Sequence, residues 1–108
     1  MSTERGLRYN KNKSQWSLVD FKSLEPMVKV LEFGATKYAK DNWKKGMPVS
    51  EVMESLLRHC FAMLAGEEID PESGEQHIGH IQCNAMFISY MMNEKRQFND
   101  ITKIEDED

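Results

Sequence analysis

One stretch constrains this chain more than any other: Asp70-Pro-Glu-Ser-Gly-Glu-Gln-His77-Ile-Gly-His80-Ile-Gln-Cys-Asn84. It reads as a turn that opens a helix. Stepping about 100° per residue from Gln76 brings His77, His80 and Asn84 into one narrow arc. Ile81, Phe87, Ile88 and Met91 flank that arc, and Gln82, Ser89 and Asn93 fall on the opposite, solvent side. Three polar side chains therefore lie in a stripe that should face the core. Buried imidazole and amide groups must find partners or cost stability. The pattern points to a site rather than a plain packing face. The alternative is structural: His77 caps a helix end and His80 bonds a neighbouring carbonyl.

The rest of the chain supplies two more helices. Residues 1–22 show no helical period and read as an extended arm, anchored by Tyr9, Trp16, Leu18 and Phe21. The first helix is expected from Ser23, a good N-cap with Pro26 in the following turn, to about Tyr38–Lys40. Its core stripe is Leu24, Met27, Val28, Leu31, Ala35 and Tyr38. A loop punctuated by Gly46 and Pro48 carries Asn42 and Trp43. The second helix is expected over about Val49–Ala65 with Ser50 as N-cap, burying Val52, Met53, Leu56, Leu57, Cys60, Met63 and Leu64. Gly66 closes it. The acidic connection Glu67–Gly74 is short enough to require an antiparallel helix pair. The third helix should run to about Arg96 or Phe98. A weaker helical pattern, Phe98, Ile101 and Ile104, follows, and 99–108 forms an acidic tail. The expectation is one domain, 1–98: an all-α bundle of three main helices.

A chain of 108 residues with 40% hydrophobic and 30% charged composition suits a single globular domain. Three broad apolar faces in so short a chain predict a core completed by a homodimer or homotetramer. No membrane-length apolar run and no signal peptide are evident, and Cys60 and Cys83 lie in apolar helical stretches as two reduced thiols. The expected compartment is the cytoplasm. Residues 1–48 hold ten Lys/Arg against five Asp/Glu, and residues 49–108 hold four against thirteen. A basic front and an acidic back suit a metal-bound phosphate, although ordinary surface charge also accounts for the asymmetry. The expected partner is a small nucleotide, not a long nucleic acid and not a membrane.

Two metal readings compete. One pairs Glu51 and Glu54 on the second helix with His77 and His80 on the third, each pair one turn apart. The other places zinc among His59, Cys60, His77, His80 and Cys83. The cysteines point into the apolar stripes, which favours the first reading. No Ser/His/Asp arrangement, P-loop or dinucleotide-binding glycine pattern is present, so any catalysis should be metal-assisted hydrolysis by activated water. Glu54, His59 and Asp70 are the candidate catalytic groups. Lys13, Lys37 and Arg58 are candidates for phosphate, Trp43 for stacking on a base, and Asn42 and Asn84 for further substrate contacts.

The residues Phe33-Gly-Ala-Thr-Lys37-Tyr38, Asn42-Trp43-Lys-Lys-Gly46, Arg58-His59, and Gly66-Glu67-x-x-Asp70-x-Glu-Ser73-Gly74-x-x-His77-x-x-His80-x-x-x-Asn84-Ala85 resemble a known set. They are similar to the phage dATP/dGTP diphosphohydrolase-like family, related to the all-α MazG-type nucleoside triphosphate pyrophosphatases. The resemblance covers roughly Tyr9 to Tyr90, and its most specific block is Glu-Ser-Gly-x-x-His-x-x-His. It implies an all-helical, oligomeric, Mg²⁺- or Mn²⁺-dependent enzyme that cleaves a purine dNTP to the monophosphate and pyrophosphate. It also admits a non-catalytic nucleotide binder on the same scaffold. In the wider superfamily the metal ligands form an ExxE pair and an ExxD pair. Glu51-x-x-Glu54 would stand for the first, and His77-x-x-His80 occupies the place of the second. That departure favours Mn²⁺, Co²⁺ or Zn²⁺ over Mg²⁺, because imidazole is the softer donor.

Overall fold

A computed structural model describes residues 4–103. Three α-helices make up its framework: α1 (Glu25–Lys37), α2 (Val49–Leu64) and α3 (His77–Glu94). A 3₁₀ turn, Asn42–Lys45, joins α1 to α2, and an irregular loop joins α2 to α3. Among the described residues there is no strand, only an isolated bridge between Ile69 and Gln76. The class is all-α.

α3 is the middle element. α1 and α2 each pack along it and scarcely touch one another. α2 runs antiparallel to α3: Ser55 meets Asn84, and four residues on, His59 meets His77 and His80. Val30, Val49, Val52, Cys83 and Met91 form the buried apolar core. Burial pushes the Cys83 thiol up to about 12.

Helix starts differ from the expected caps. Ser23 donates its hydroxyl to Asp20 Oδ2 instead of capping α1. A 3₁₀ turn, Phe21–Leu24, runs straight into the helix, with Leu24 in the N-cap position. Pro48, not Ser50, takes that position for α2. Proline has no capping side chain, so Asp100 supplies the acceptors from a distant segment. Its carboxylate takes the Ser50 N–H at 2.9 Å and the Ser50 hydroxyl. α3 stops at Glu94, and a 3₁₀ turn, Arg96–Phe98, follows. The helical pattern expected beyond it does not form through residue 103. There Asn99 Oδ1 accepts the N–H groups of Ile101 and Thr102, a local turn that competes with helix. Ile104 and the acidic residues 105–108 lie outside the described residues.

The expected apolar faces are only partly covered. Val28, Ala35 and Tyr38 are exposed on α1, and Val30 is the buried residue. With α3 as its one helical neighbour, α1 buries a narrower arc than its apolar stripe. Leu57 and Leu64 of the expected α2 face, with Phe61, also stand at the surface. Residues 4–23 are exposed throughout, so Tyr9, Trp16, Leu18 and Phe21 do not anchor the arm within this chain.

α1 crosses α3 at Gly79. A Cβ placed there would press into the Pro26 carbonyl oxygen and meet Val30 Cγ2 at 3.0 Å. Gly34, on α1, has nothing within 4 Å of such a carbon. Gly79→Ala should therefore cost about 2 kcal/mol of unfolding free energy through overpacking. Gly34→Ala should add about 1 kcal/mol through helix propensity. Urea denaturation of both variants checks the opposite signs; a shared sign would contradict this helix crossing.

Candidate functional site

The site forms where α2 ends, the chain turns, and α3 begins. Gly66, at φ 95°, lets the chain leave α2 sharply, and the Glu67 N–H reaches back to the Ala62 carbonyl at 2.9 Å. Asp70 then organises the loop. Its N–H donates to the Glu75 carbonyl at 2.8 Å, and its carbonyl accepts from Gly74 at 2.8 Å. Gly74, at φ 74°, takes the left-handed conformation this turn demands. The Asp70 carboxylate accepts the Glu72 N–H at 3.2 Å and the Ser73 hydroxyl at 2.9 Å. The His77 N–H donates to the Glu68 carbonyl at 2.9 Å, which sets the start of α3 against the loop.

All three histidines of the chain converge here. His59 Nδ1 lies 2.8 Å from His77 Nδ1, and His77 Nε2 lies 2.7 Å from Glu67 Oε1. The rings of His59 and His80 stack in parallel, 4.3 Å apart and tilted by 3°. His80 Nε2 lies 2.7 Å from Ser73 Oγ and 3.3 Å from Asp70 Oδ2. One turn further along, Asn84 donates to Ser55 Oγ at 3.3 Å. His59, Asp70 and His80 each offer one ligand atom, all within 4.8 Å of one another. Two imidazole nitrogens and a carboxylate oxygen form a donor set suited to a borderline divalent cation.

The electrostatics favour neutral imidazoles beside an ionised carboxylate. Burial lowers the His59 pKa from its ordinary value, and nearby His80 and His77 push the same way. Burial also lowers His80, against the opposing charge of Asp70. Burial alone would raise Asp70, but the Ser73 hydroxyl, the Glu72 N–H and the neighbouring His80 hold it below the usual carboxylate range.

Two cavities meet at this cluster. The polar one, of about 390 Å³, is lined by Ser55, Arg58, His59, Asp70, Glu72 and His77, with Phe33 and His80. The apolar one, of about 650 Å³, lies between α1, the Asn42–Lys45 turn and α3. Phe33 and His80 line both.

The predicted residues fall into place unevenly. His59, Asp70, His77 and His80 come together, with Arg58 at the polar cavity and Lys37, Asn42, Trp43 and Asn84 around the apolar one. Trp43 stacks on Phe87 at 4.6 Å and meets Tyr90 edge-on at 5.0 Å, which makes it a wall packed on α3. Lys37 pairs with Glu72 at 3.7 Å, both side chains largely exposed. Lys13 is exposed on the arm and lines neither cavity. Glu51 and Glu54, expected as ligands, are exposed on α2 and contribute no atom to the cluster. Glu51 lies two turns ahead of His59, about 12 Å along the axis, and Glu54 points about 140° away from His59 around it. They do not share the cluster with the histidines. His77 has both ring nitrogens in hydrogen bonds, so it backs the cluster and leaves ligation to others. Sequence reasoning includes Glu67 in the family-like motif but gives it no role, because it follows the helix-ending glycine and lies outside any helical period.

Comparison with known proteins adds a family. Residues 3–101 match the family described as "dATP/dGTP diphosphohydrolase, N-terminal". The chain is 27% identical over 95 residues to a protein of Salmonella phage PMBT28 named dATP/dGTP diphosphohydrolase. That alignment covers 88% of this chain and 32% of the relative, so the chain spans about a third of the relative's length. No solved structure matches the chain.

Because His59 and His80 are held below the ordinary imidazole pKa, protonation favours the unfolded chain. The stability they contribute is fully present above about pH 6.5 and declines as pH falls through their lowered folded values. The melting temperature should fall between about pH 7 and pH 5. A double His59→Gln, His80→Gln variant should flatten that slope in a pH series of thermal melts. An unchanged slope would contradict neutral imidazoles at this site.

Proposed function

This chain belongs to the dATP/dGTP diphosphohydrolase N-terminal family, and from that premise we propose that it binds and cleaves a purine dNTP with the help of a divalent cation. One observation carries the reading: Phe33 and His80 form a wall common to an apolar cavity and a polar, histidine-lined one. A dNTP has that same division, an aromatic base at one end and a polyanion at the other.

The base and sugar would fill the cavity bounded by Phe33, Trp43 and Phe87, with Asn42 and Asn84 as its polar edges. The phosphates would lie over the smaller cavity. Arg58 has no carboxylate partner among the described residues, and its planar fork suits a phosphate. Lys37 would exchange its exposed contact with Glu72 for the polyanion. His59, Asp70 and His80 would hold the cation. Bound there, a cation supplies Lewis-acid stabilisation of phosphoryl charge and a more acidic water. Mn²⁺, Co²⁺ and Zn²⁺ fit this donor set better than Mg²⁺. The chain's own contribution is to fix the triphosphate, to exclude water from the base, and to offer Asp70 as a proton acceptor. Attack of a water oxygen on the α-phosphorus then breaks the bridging P–O bond, giving the monophosphate and pyrophosphate.

A binder without turnover is the second reading. One observation favours it: the cluster offers a single carboxylate, Asp70, beside two imidazoles, whereas hard cations such as Mg²⁺ prefer oxygen ligands.

The exposed apolar residues Leu57, Phe61 and Leu64 on α2, with Trp16, Leu18 and Phe21 on the arm, support a homodimer or homotetramer. No helix among the described residues is long and apolar enough to cross a membrane.

Mn²⁺-dependent release of pyrophosphate from dATP or dGTP tests the proposal. Binding without release would favour the second reading, and neither would sink both. Arg58→Ala should weaken nucleotide binding at least tenfold with little change in melting temperature, as expected for loss of a charge-assisted hydrogen bond. Equal loss of stability would make Arg58 structural. Sedimentation should show a dimer or tetramer at micromolar concentration; a folded monomer would contradict the assembly.

A further inference from the structure

The hydrogen bonds around His77 determine where the protons sit. Glu67 Oε1 lies 2.7 Å from His77 Nε2, and a carboxylate can only accept, so His77 carries its hydrogen on Nε2. In a neutral imidazole the other nitrogen is then an acceptor. His77 Nδ1 faces His59 Nδ1 at 2.8 Å, so the hydrogen between them belongs to His59. With Nδ1–H spent on His77, His59 keeps Nε2 as the nitrogen available to the cluster it forms with Asp70 and His80.

We propose that Glu67 and His77 are positioning residues: they lock His59 in its Nδ1–H tautomer and so present the Nε2 lone pair to the Asp70/His80 cluster. His77 is suited to this part because it is 3% exposed and both its nitrogens are used. Glu67 reaches it from the far side of the loop with a half-exposed side chain, so the line ends at solvent. Neither residue is within the cluster itself. Orientation of a ligand imidazole through its second nitrogen is a general requirement of histidine metal sites. The tautomer assignment rests on these hydrogen bonds alone and does not depend on the metal. Its use for a cation rests on the proposed function above.

The test reads the tautomer directly. Uniformly ¹⁵N-labelled protein without added metal is studied at about pH 8, above the ordinary imidazole pKa near 6.5. Long-range ¹H–¹⁵N spectra should show His59 with a protonated Nδ1 and an unprotonated Nε2, the form less favoured by a free side chain. Glu67→Gln keeps an acceptor oxygen and should keep that pattern. Glu67→Ala removes it, frees His77 to move its hydrogen to Nδ1, and should shift His59 toward Nε2–H. Both variants change a half-exposed side chain, so both should fold. A wild-type His59 with its hydrogen on Nε2 overturns the proposal, as does a Glu67→Ala spectrum that leaves His59 unchanged. Mn²⁺ titration of the same samples forms a separate arm. Loss of the Glu67 acceptor should weaken cation binding roughly 10- to 100-fold. If the tautomer pattern is found but no Mn²⁺ binds to wild type, the positioning role stands and the metal reading fails.

Discussion

The histidine cluster depends on how one buried imidazole is satisfied. His77 is the first residue of α3 and is 3% exposed. Its backbone N–H is taken by Glu68, its Nδ1 faces His59 on α2, and its Nε2 faces Glu67 in the loop. A single residue thus ties the start of one helix to the end of another and to the turn between them. A buried polar atom left without its partner costs about 1–3 kcal/mol. That penalty selects the one loop conformation in which every partner is in reach. Asp70 and Ser73 hold the same turn from its other side, through the carboxylate that also approaches His80.

The wider fold places this region at the edge of an apolar cavity. α3 lies between α1 and α2, so different parts of its surface serve different neighbours. His77 faces α2 and the loop, Cys83 and Phe87 face the space bounded by α1 and Trp43, and His80 and Asn84 reach the loop or α2 while also lining that space. Gly79 lets α1 approach closely at the start of α3. His80 belongs to both environments, and through it a polar cluster and an apolar cavity share a wall. Much apolar surface on α2 and on the arm remains outside this arrangement.

The histidine arc was legible because α3 begins where the sequence places it, so the 3.6-residue period carries His77, His80 and Asn84 onto related faces. Asp70 and the Ser73-Gly74 turn were legible from turn chemistry. The α1 stripe was not. Its period admits several rotations, and the Gly79 contact that selects Val30 over Val28 and Tyr38 is long-range. The two glutamates of α2 obey the right spacing for a pair of ligands, but spacing within one helix says nothing of its rotation against another. Glu67 stands in the motif that resembles the family but receives no role from it: it lies in a turn, where no period exists, and its part appears only once His77 is seen to be buried. The Asp100 contact with Ser50 joins residues 50 positions apart and leaves no local signal.

The central claim is that a divalent cation belongs among His59, Asp70 and His80, against the wall of the apolar cavity. Anomalous diffraction from crystals grown with Mn²⁺ tests this most directly. The account predicts a peak within bonding distance of all three side chains, with His77 outside the coordination sphere and Glu67 behind it. A peak held by Glu51 and Glu54, with the histidines unligated, would contradict it.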